Sequence, residues 1–264
     1  MQGIGIVLFT LGGKNLKRAL RGLTDVLDKT VVVNDGKTIK PDSYNKTLLG
    51  VSEGPNIKKF INTVYDKYPS ACYNIGIREL LKDESVEHIF IINDSIEILD
   101  DTLFQDFIDV HKKTKLKALY YCREDDDPQG KSNNVRLIVD LGSNKMTLNM
   151  GTSGALVYLH RDVFKKCGFF DERYRAAMEW SDFSYRLSQQ NLSTPFLWFP
   201  HVESVSDKLI VSDNDIMYEE AMEDRILRGM KLFYMKYKCQ IQDLITTYSK
   251  KDVISKLKNI SRIS

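Results

Sequence analysis

The sequence has no run of apolar residues near the roughly 18 that would read as a membrane span, so no spanning helix is expected. Cysteine is scarce, four in 264 residues. Cys72, Cys122, Cys167 and Cys239 stand far apart, with no Cys-x-x-Cys pair and no rhythm of a disulfide framework. Ordinary buried thiols in a reducing, cytoplasmic setting are the expectation. The N-terminus, MQGIGIVLFTLGGK, lacks a basic segment and a cleavage site, so it is read as opening directly on a strand. An excess of one charge sign is missing too. The formal net charge is +2, and the molecule as a whole offers no argument for a polyanionic partner.

What is present is ordinary for a folded chain: 42% apolar and 28% charged residues, and enough length for one large domain with a helical appendage. Charge is uneven along it. From residue 231 onward, Lys231, Lys236, Lys238, Lys250, Lys251, Lys256, Lys258 and Arg262 face only Asp243 and Asp252. This basic end suits either phosphates and anionic head groups or a solvated lysine-rich helix face.

The first half alternates strand-length apolar runs (Ile4–Thr10, Val31–Asn34, Ile89–Asn93, Ala118–Cys122) with helical periodicity over Leu16–Leu27, Ile57–Tyr68, Ala71–Lys82 and Leu103–Lys113. That alternation predicts an α/β fold with a mainly parallel central sheet flanked by helices, whose ligands bind beyond the carboxyl ends of the strands. Two polar segments end strands in that way, Asn34-Asp35-Gly36 and Asn93-Asp94-Ser95. The acidic run after Cys122 reads as an exposed loop closed by Pro128. Val135–Asp140 and Lys145–Asn149, joined through Gly142, read as a hairpin. Beyond it lie an apolar run over Ala155–Leu159, a short helix Arg161–Cys167 capped at Gly168, a helix over Glu179–Gln190, an apolar strand Pro195–Pro200, and two or three helices after Tyr218. The domain division expected is 1–210, with 211–264 a basic helical extension packed on it.

In this order and spacing, the first strand, VVVNDGK, ACYNIGIREL, IFIINDSIEI, GTSGALVYLHRDVFKKCGFFDERY and EWSDFSYRL resemble the family 2 glycosyltransferases, which share the nucleotide-sugar-binding GT-A fold. The resemblance covers about residues 1 to 202. It implies a donor site in which Asp35 accepts hydrogen bonds from the base or ribose, and Thr10, Asn74, Asn93, Ser95, Ser153, Gly154 and Trp180 line the nucleotide sugar. It also implies a divalent cation, Mn²⁺ or Mg²⁺, held against the diphosphate. The family's pair of aspartates is here Asn93-Asp94-Ser95, leaving Asp94 as the single carboxylate, and His201 matches a further ligand in some relatives. The catalytic base of the family comes from a Glu-Asp pair opening a helix. This chain has Glu179-Trp180-Ser181-Asp182, which leaves Glu179 and Asp182 as candidate bases and Trp180 where the usual base stands.

The implied activity is transfer of a sugar, with inversion, from a nucleotide-diphosphate donor such as a UDP-sugar to a hydroxyl. The implied acceptors are a glycan or lipid-linked sugar, or the hydroxymethylated bases of DNA that some phage glycosyltransferases modify. Two other readings compete. A donor-synthesising enzyme of the same fold would carry an Arg- and Lys-bearing glycine loop after the first strand, and Leu11-Gly12-Gly13-Lys14 is sparse for that. A sugar- or nucleic-acid-binding module without activity is the other reading, which the altered Asn93-Asp94-Ser95 and Trp180 leave open.

Overall fold

The computed structural model describes residues 2–12, 14–36, 57–63, 68–121, 137–149, 155–175, 178–211, 222–245 and 250–261. In chain order the strands are β1 (Ile4–Thr10), β2 (Thr30–Asn34), β3 (Lys59–Asn62), β4 (His88–Asn93), β5 (Ile96–Ile98), β6 (Ala118–Tyr120), β7 (Leu137–Asp140), β8 (Lys145–Asn149), β9 (Leu156–His160), β10 (Phe199–Val202) and β11 (Leu209–Val211). The helices are α1 (Lys14–Gly22), α2 (Tyr68–Leu80), α3 (Leu103–Thr114), α4 (Asp162–Cys167), α5 (Glu179–Gln189), α6 (Met222–Tyr237), α7 (Ile241–Ile245) and α8 (Lys250–Ser261).

Nine strands form one sheet in the order β3-β2-β1-β4-β9-β6-β10-β8-β7, while β5 and β11 pair separately. The pairings leave only β8 and β9 running against the other seven, so the sheet is mostly parallel. β1 sits near its middle and is buried along its whole length. Period-two alternation divides its side chains between two cores. Ile4, Ile6 and Leu8 pack with Leu16, Leu20, Phe104 and Phe107 of α1 and α3, whereas Val7 and Phe9 face Cys72, Ile77, Phe183 and Leu187 of α2 and α5. A strand covered on both faces needs a continuous apolar run, as IGIVLFT supplies. The approach of α2 is close enough to demand glycine at 76, where a Cβ would come within 2.4 Å of Val7 Cγ1.

Three expectations about elements change. The helical spacing over Ile57–Tyr68 gives way to strand β3, whose Lys59–Asn62 run parallel to Val31–Asn34. Lys-Phe-Ile-Asn suits a half-buried edge as well as a helix, and the free hydrogen-bonding edge of β2 decides between them. The Leu16–Leu27 helix stops at Gly22 and continues as a 3₁₀ segment over Thr24–Lys29. The apolar stretch from Pro195 forms a turn, with the Trp198 N–H donating to Pro195 O at 2.9 Å, so the strand starts only at Phe199. The hairpin, α4 with a positive φ of 72° at Gly168, and α5 lie where the pattern places them.

The C-terminal helices pack on the sheet domain. Phe233 of α6, fully buried, meets Phe196 and Tyr185, and Val253 of α8 enters the core shared with α3. Among the described residues, no helix is long and apolar enough to cross a membrane; Cys72 is buried, and Cys167 and Cys239 are half-buried thiols. Cys122 and the acidic run after it lie outside the described residues.

Candidate active site

The carboxyl ends of β1, β2 and β4 meet at one end of the sheet, where parallel α/β folds bind ligands. Asp35 follows β2 directly. Its N–H donates to Thr10 O at 2.9 Å, and its carboxylate accepts from the Thr63 hydroxyl and from the Tyr68 N–H, the latter at 3.2 Å. Both oxygens are therefore oriented by neighbours, one at the end of β3 and one at the first residue of α2. The Asp-Gly pair has its own reason: a Cβ on Gly36 would lie 1.7 Å from Leu11 O, so only glycine lets the loops after β1 and β2 come together.

Asp94 follows β4. Its N–H donates to Phe9 O at 3.1 Å, and its Oδ2 accepts from the Thr10 hydroxyl at 2.5 Å, while Thr10 Oγ1 accepts from the Gly12 N–H at 2.8 Å. Thr10 is fully buried and thus holds Asp94 in place rather than facing a donor. Burial pushes the Asp94 pKa upward, against the hydrogen bonds from Thr10 and the Leu11 backbone and the charge of Arg18. A carboxylate with a raised pKa gains when a cation arrives beside it. Asn93 accepts from the Tyr73 hydroxyl at 3.1 Å, and Ser95, 1% exposed, begins the turn into β5.

Helix α5 brings the third acid. Glu179 opens it after Met178, whose φ of 70° turns the chain into the helix. Glu179 is buried, and among the described residues its Oε2 has no hydrogen-bond partner. Burial alone pushes its pKa up to about 6, only partly opposed by its own backbone N–H. Trp180 next to it is enclosed by Tyr73, Tyr120, Phe170 and Phe183, with ring centroids at 5.7, 5.9, 4.8 and 6.5 Å. The indole packs among these rings and ties α5 to α2, and through Tyr73 to Asn93.

Asp182, the other candidate base, has several partners. It is fully buried and bound by Arg186 Nε at 2.9 Å, Lys236 Nζ at 2.7 Å and the Tyr237 hydroxyl at 2.8 Å. This carboxylate clamps α6 onto α5. Asn74, expected at the donor, is taken up by structure in the same way. Its amide donates to Phe170 O and Glu172 Oε1 and its carbonyl accepts from the Phe170 N–H, all at 2.9 Å. It fixes α2 to the segment that leads toward Glu179.

His201 lies inside β10, opposite Thr147 of β8 and Tyr120 of β6, is 2% exposed, and has its ring 6.3 Å from that of Tyr120. β9 and β6 stand between it and β4. Among the described residues no group of three His, Cys, Asp or Glu side chains is assembled as a metal site. Ser153 and Gly154 lie outside the described residues. Sequence reasoning missed Thr63, Tyr73, Lys236 and Tyr237, which come from the end of β3, from α2 and from α6, because their roles depend on partners far away in the chain.

Comparison with solved structures finds the mannosyltransferase PcManGT from Pyrobaculum calidifontis, determined with GDP-Man and Mn²⁺, at a TM-score of 0.54 and 11% identity over 89% of this chain and 64% of that one. The chain has a GT-A-type fold. It spans 64% of the length of that mannosyltransferase, and at this identity the likeness concerns the fold alone. GalNAc-T7 with UDP, GalNAc and Mn²⁺ is found at a TM-score of 0.48 and 10% identity, covering 76% of this chain and 42% of that one. A putative glucose-1-phosphate thymidylyltransferase from Bacillus anthracis is found at a TM-score of 0.48 and 9% identity, covering 84% of this chain and 95% of that one. No family profile and no curated protein matches the sequence. Asp35 and Asp94 follow β2 and β4 directly, Glu179 opens α5, and Asp182 joins α5 to α6.

Proposed function

We propose that the protein is an inverting glycosyltransferase that uses a nucleotide-diphosphate sugar, with Glu179 as the base. The observation that carries this is the Glu179 carboxyl: buried, with Oε2 lacking a partner among the described residues and a pKa pushed up to about 6. A structural carboxylate in such a place would be paired. An unpaired one with a pKa near neutrality is suited to take a proton from an acceptor hydroxyl as that oxygen attacks the anomeric carbon and the nucleoside diphosphate leaves from the opposite face. This single displacement inverts the anomeric centre.

Asp35, oriented by Thr63 and Tyr68, accepts hydrogen bonds from the nucleoside. Asp94, oriented by Thr10, is the protein carboxylate that would hold a divalent cation, and its desolvated carboxyl fits that charge. When bound, the cation supplies charge neutralisation of the departing diphosphate. With one carboxylate from the protein, most of the cation's remaining ligands would have to be diphosphate and water oxygens.

The test is a panel of UDP-, GDP-, CDP- and TDP-sugars incubated with and without Mn²⁺, following nucleoside diphosphate release, with nucleotide binding measured by calorimetry. One donor is expected to be cleaved, and both Asp94→Ala and Glu179→Gln should reduce its turnover at least 100-fold. Binding of a nucleotide sugar with no turnover by the wild-type chain under any condition would reject catalysis in favour of the binding-module reading.

A further inference from the structure

Helix α6 has two unlike faces. Inward, Phe233 is fully buried against Phe196 and Tyr185, and Lys236 reaches Asp171 and Asp182. The outward face is not the polar surface that solvent would favour. Among the described residues eight large apolar side chains are exposed, and four of them, Ile226, Leu227, Tyr234 and Met235, belong to this one helix. Leu227, Tyr234 and Met235 are 57, 50 and 58% exposed. Single exposed apolar residues are ordinary, whereas a group of them on one element marks a contact surface.

Cations share that face. Positions 227, 231, 234, 235 and 238 recur at the three- and four-residue spacing of one helix face, so Lys231 and Lys238, both exposed, stand among Leu227, Tyr234 and Met235. A merely solvated lysine face would not carry those three. The acids of α6, Glu223 and Asp224, are both in its first turn, about 15 Å of helix before Tyr234. Asp213, Asp215, Glu219 and Glu220 come earlier still in the sequence. Toward its other end the surface continues onto α7, where Met230, Lys231, Tyr234 and Ile241 line a cleft of about 260 Å³.

We propose that this face of α6 docks the protein on the surface of an anionic lipid bilayer. Leu227, Tyr234 and Met235 enter the boundary between head groups and acyl chains, where their apolar surface leaves water. The tyrosine keeps its hydroxyl at the polar level. The lysine stems lie along the apolar surface while their ammonium groups reach the lipid phosphates. Charge complementarity selects this occupant. A second copy of the chain, packed on this face about a two-fold axis, would set the same basic patch against itself. The phosphate row of a nucleic acid answers cations but offers nothing to an exposed leucine and methionine. The inference stands apart from the transferase reading, since neither Glu179 nor a donor enters it.

The experiment is co-flotation of the full chain with vesicles of phosphatidylcholine alone or mixed with phosphatidylglycerol, for the wild type and three variants whose folding is verified by circular dichroism. In the first, Leu227→Ser, Tyr234→Ser and Met235→Ser remove the apolar groups. In the second, Lys231→Gln and Lys238→Gln remove the charges. The third, Lys112→Gln with Lys115→Gln, removes two exposed charges at α3, which covers the face of the sheet opposite α5. The wild type is expected to bind the anionic vesicles at least tenfold more tightly than the neutral ones. The first two variants should lose at least tenfold of that affinity, and the third should keep it. Absence of wild-type binding, equal binding to both kinds of vesicle, or an equal loss in the α3 variant would overturn the proposal. A concentration-dependent dimer in sedimentation that the serine variant abolishes would overturn it too, giving the face to a second copy. Binding of a DNA duplex that the lysine variant weakens and the serine variant does not would assign the charges to a polyanion instead. Donor turnover is read separately with the nucleotide-sugar panel, so failure of either reading leaves the other standing.

Discussion

Glu179 and Asp182 stand three residues apart on α5, and their surroundings assign them opposite tasks. Asp182 is paired with Arg186 and Lys236, whereas Glu179 is buried with an Oε2 that has no partner among the described residues and a pKa raised from 4.5 to about 6. The proposed base must be ionised to act, so donor turnover with acceptor should rise with pH along a limb centred near 6, and Glu179→Gln should remove both the limb and the activity. Stability gives an independent readout. Because folding favours the neutral carboxyl, its contribution is fully present below pH 4.5 and is lost as pH rises through 6, amounting to up to about 2 kcal/mol at neutral pH. Glu179→Gln should therefore melt a few degrees above the wild type at pH 8, with the gap closing as pH falls from about 6 to 4.5. A variant that is both inactive and less stable at pH 8 would assign Glu179 to structure. From residue types alone the two acids were equal candidates; only burial and partners separate them.

At the level of elements, α6 is tied to the sheet domain through one polar knot in an otherwise aromatic contact. Lys236 and Tyr237 reach Asp182, and Lys236 also reaches Asp171. Lys236→Met should leave two carboxylates short of a cation and destabilise the protein by about 2 kcal/mol, less than for a fully buried pair because the lysine is about a quarter exposed. Asp182→Asn alone should also destabilise while leaving the pH 6 limb in place. In a double-mutant cycle read by urea denaturation, the pair should lose less than the sum of the single changes, and strict additivity would contradict the knot. The basic composition of the extension was plain from the sequence. That one of its lysines turns inward was not, since helical periodicity marks a face but says nothing about which acids the neighbouring element presents.

Across the whole molecule, the end of the sheet opposite the site carries a second titratable group. His88, His111 and His160, three of the four histidines, have ring centroids 5.0 to 6.0 Å apart. Burial and then the charge of Lys117 push His160 down to about 4 despite Asp162, and burial, chiefly, brings His111 to about 4 even with its hydrogen bond to Leu116 O. His88 is lowered as well. Their unfolded pKa is 6.5, so between pH 6.5 and about 4 the unfolded chain takes up protons that the native state refuses. Stability should be greatest above pH 6.5 and fall steadily toward pH 4. Thermal melting across that range should show the decline, and a His111→Asn, His160→Asn variant should show a shallower one. An unchanged slope would place the acid sensitivity elsewhere.

The sequence by itself determined the α/β alternation, the buried central strands, and the acids that close β2 and β4. These follow from local rules: apolar period, strand length, and the turn chemistry of Asn-Asp-Gly and Asn-Asp-Ser. Tertiary structure decided the rest. Residues 59–62 became a strand because β2 had an open edge, and Trp180 became core because Tyr73, Tyr120, Phe170 and Phe183 converge on it from α2, β6, the segment after α4 and α5 itself. The knot at Asp182 joins α5 to residues 54 and 55 positions further on, Lys236 and Tyr237. A site made by packing leaves no spacing in the chain, since what sets it is distance in space and exclusion of water.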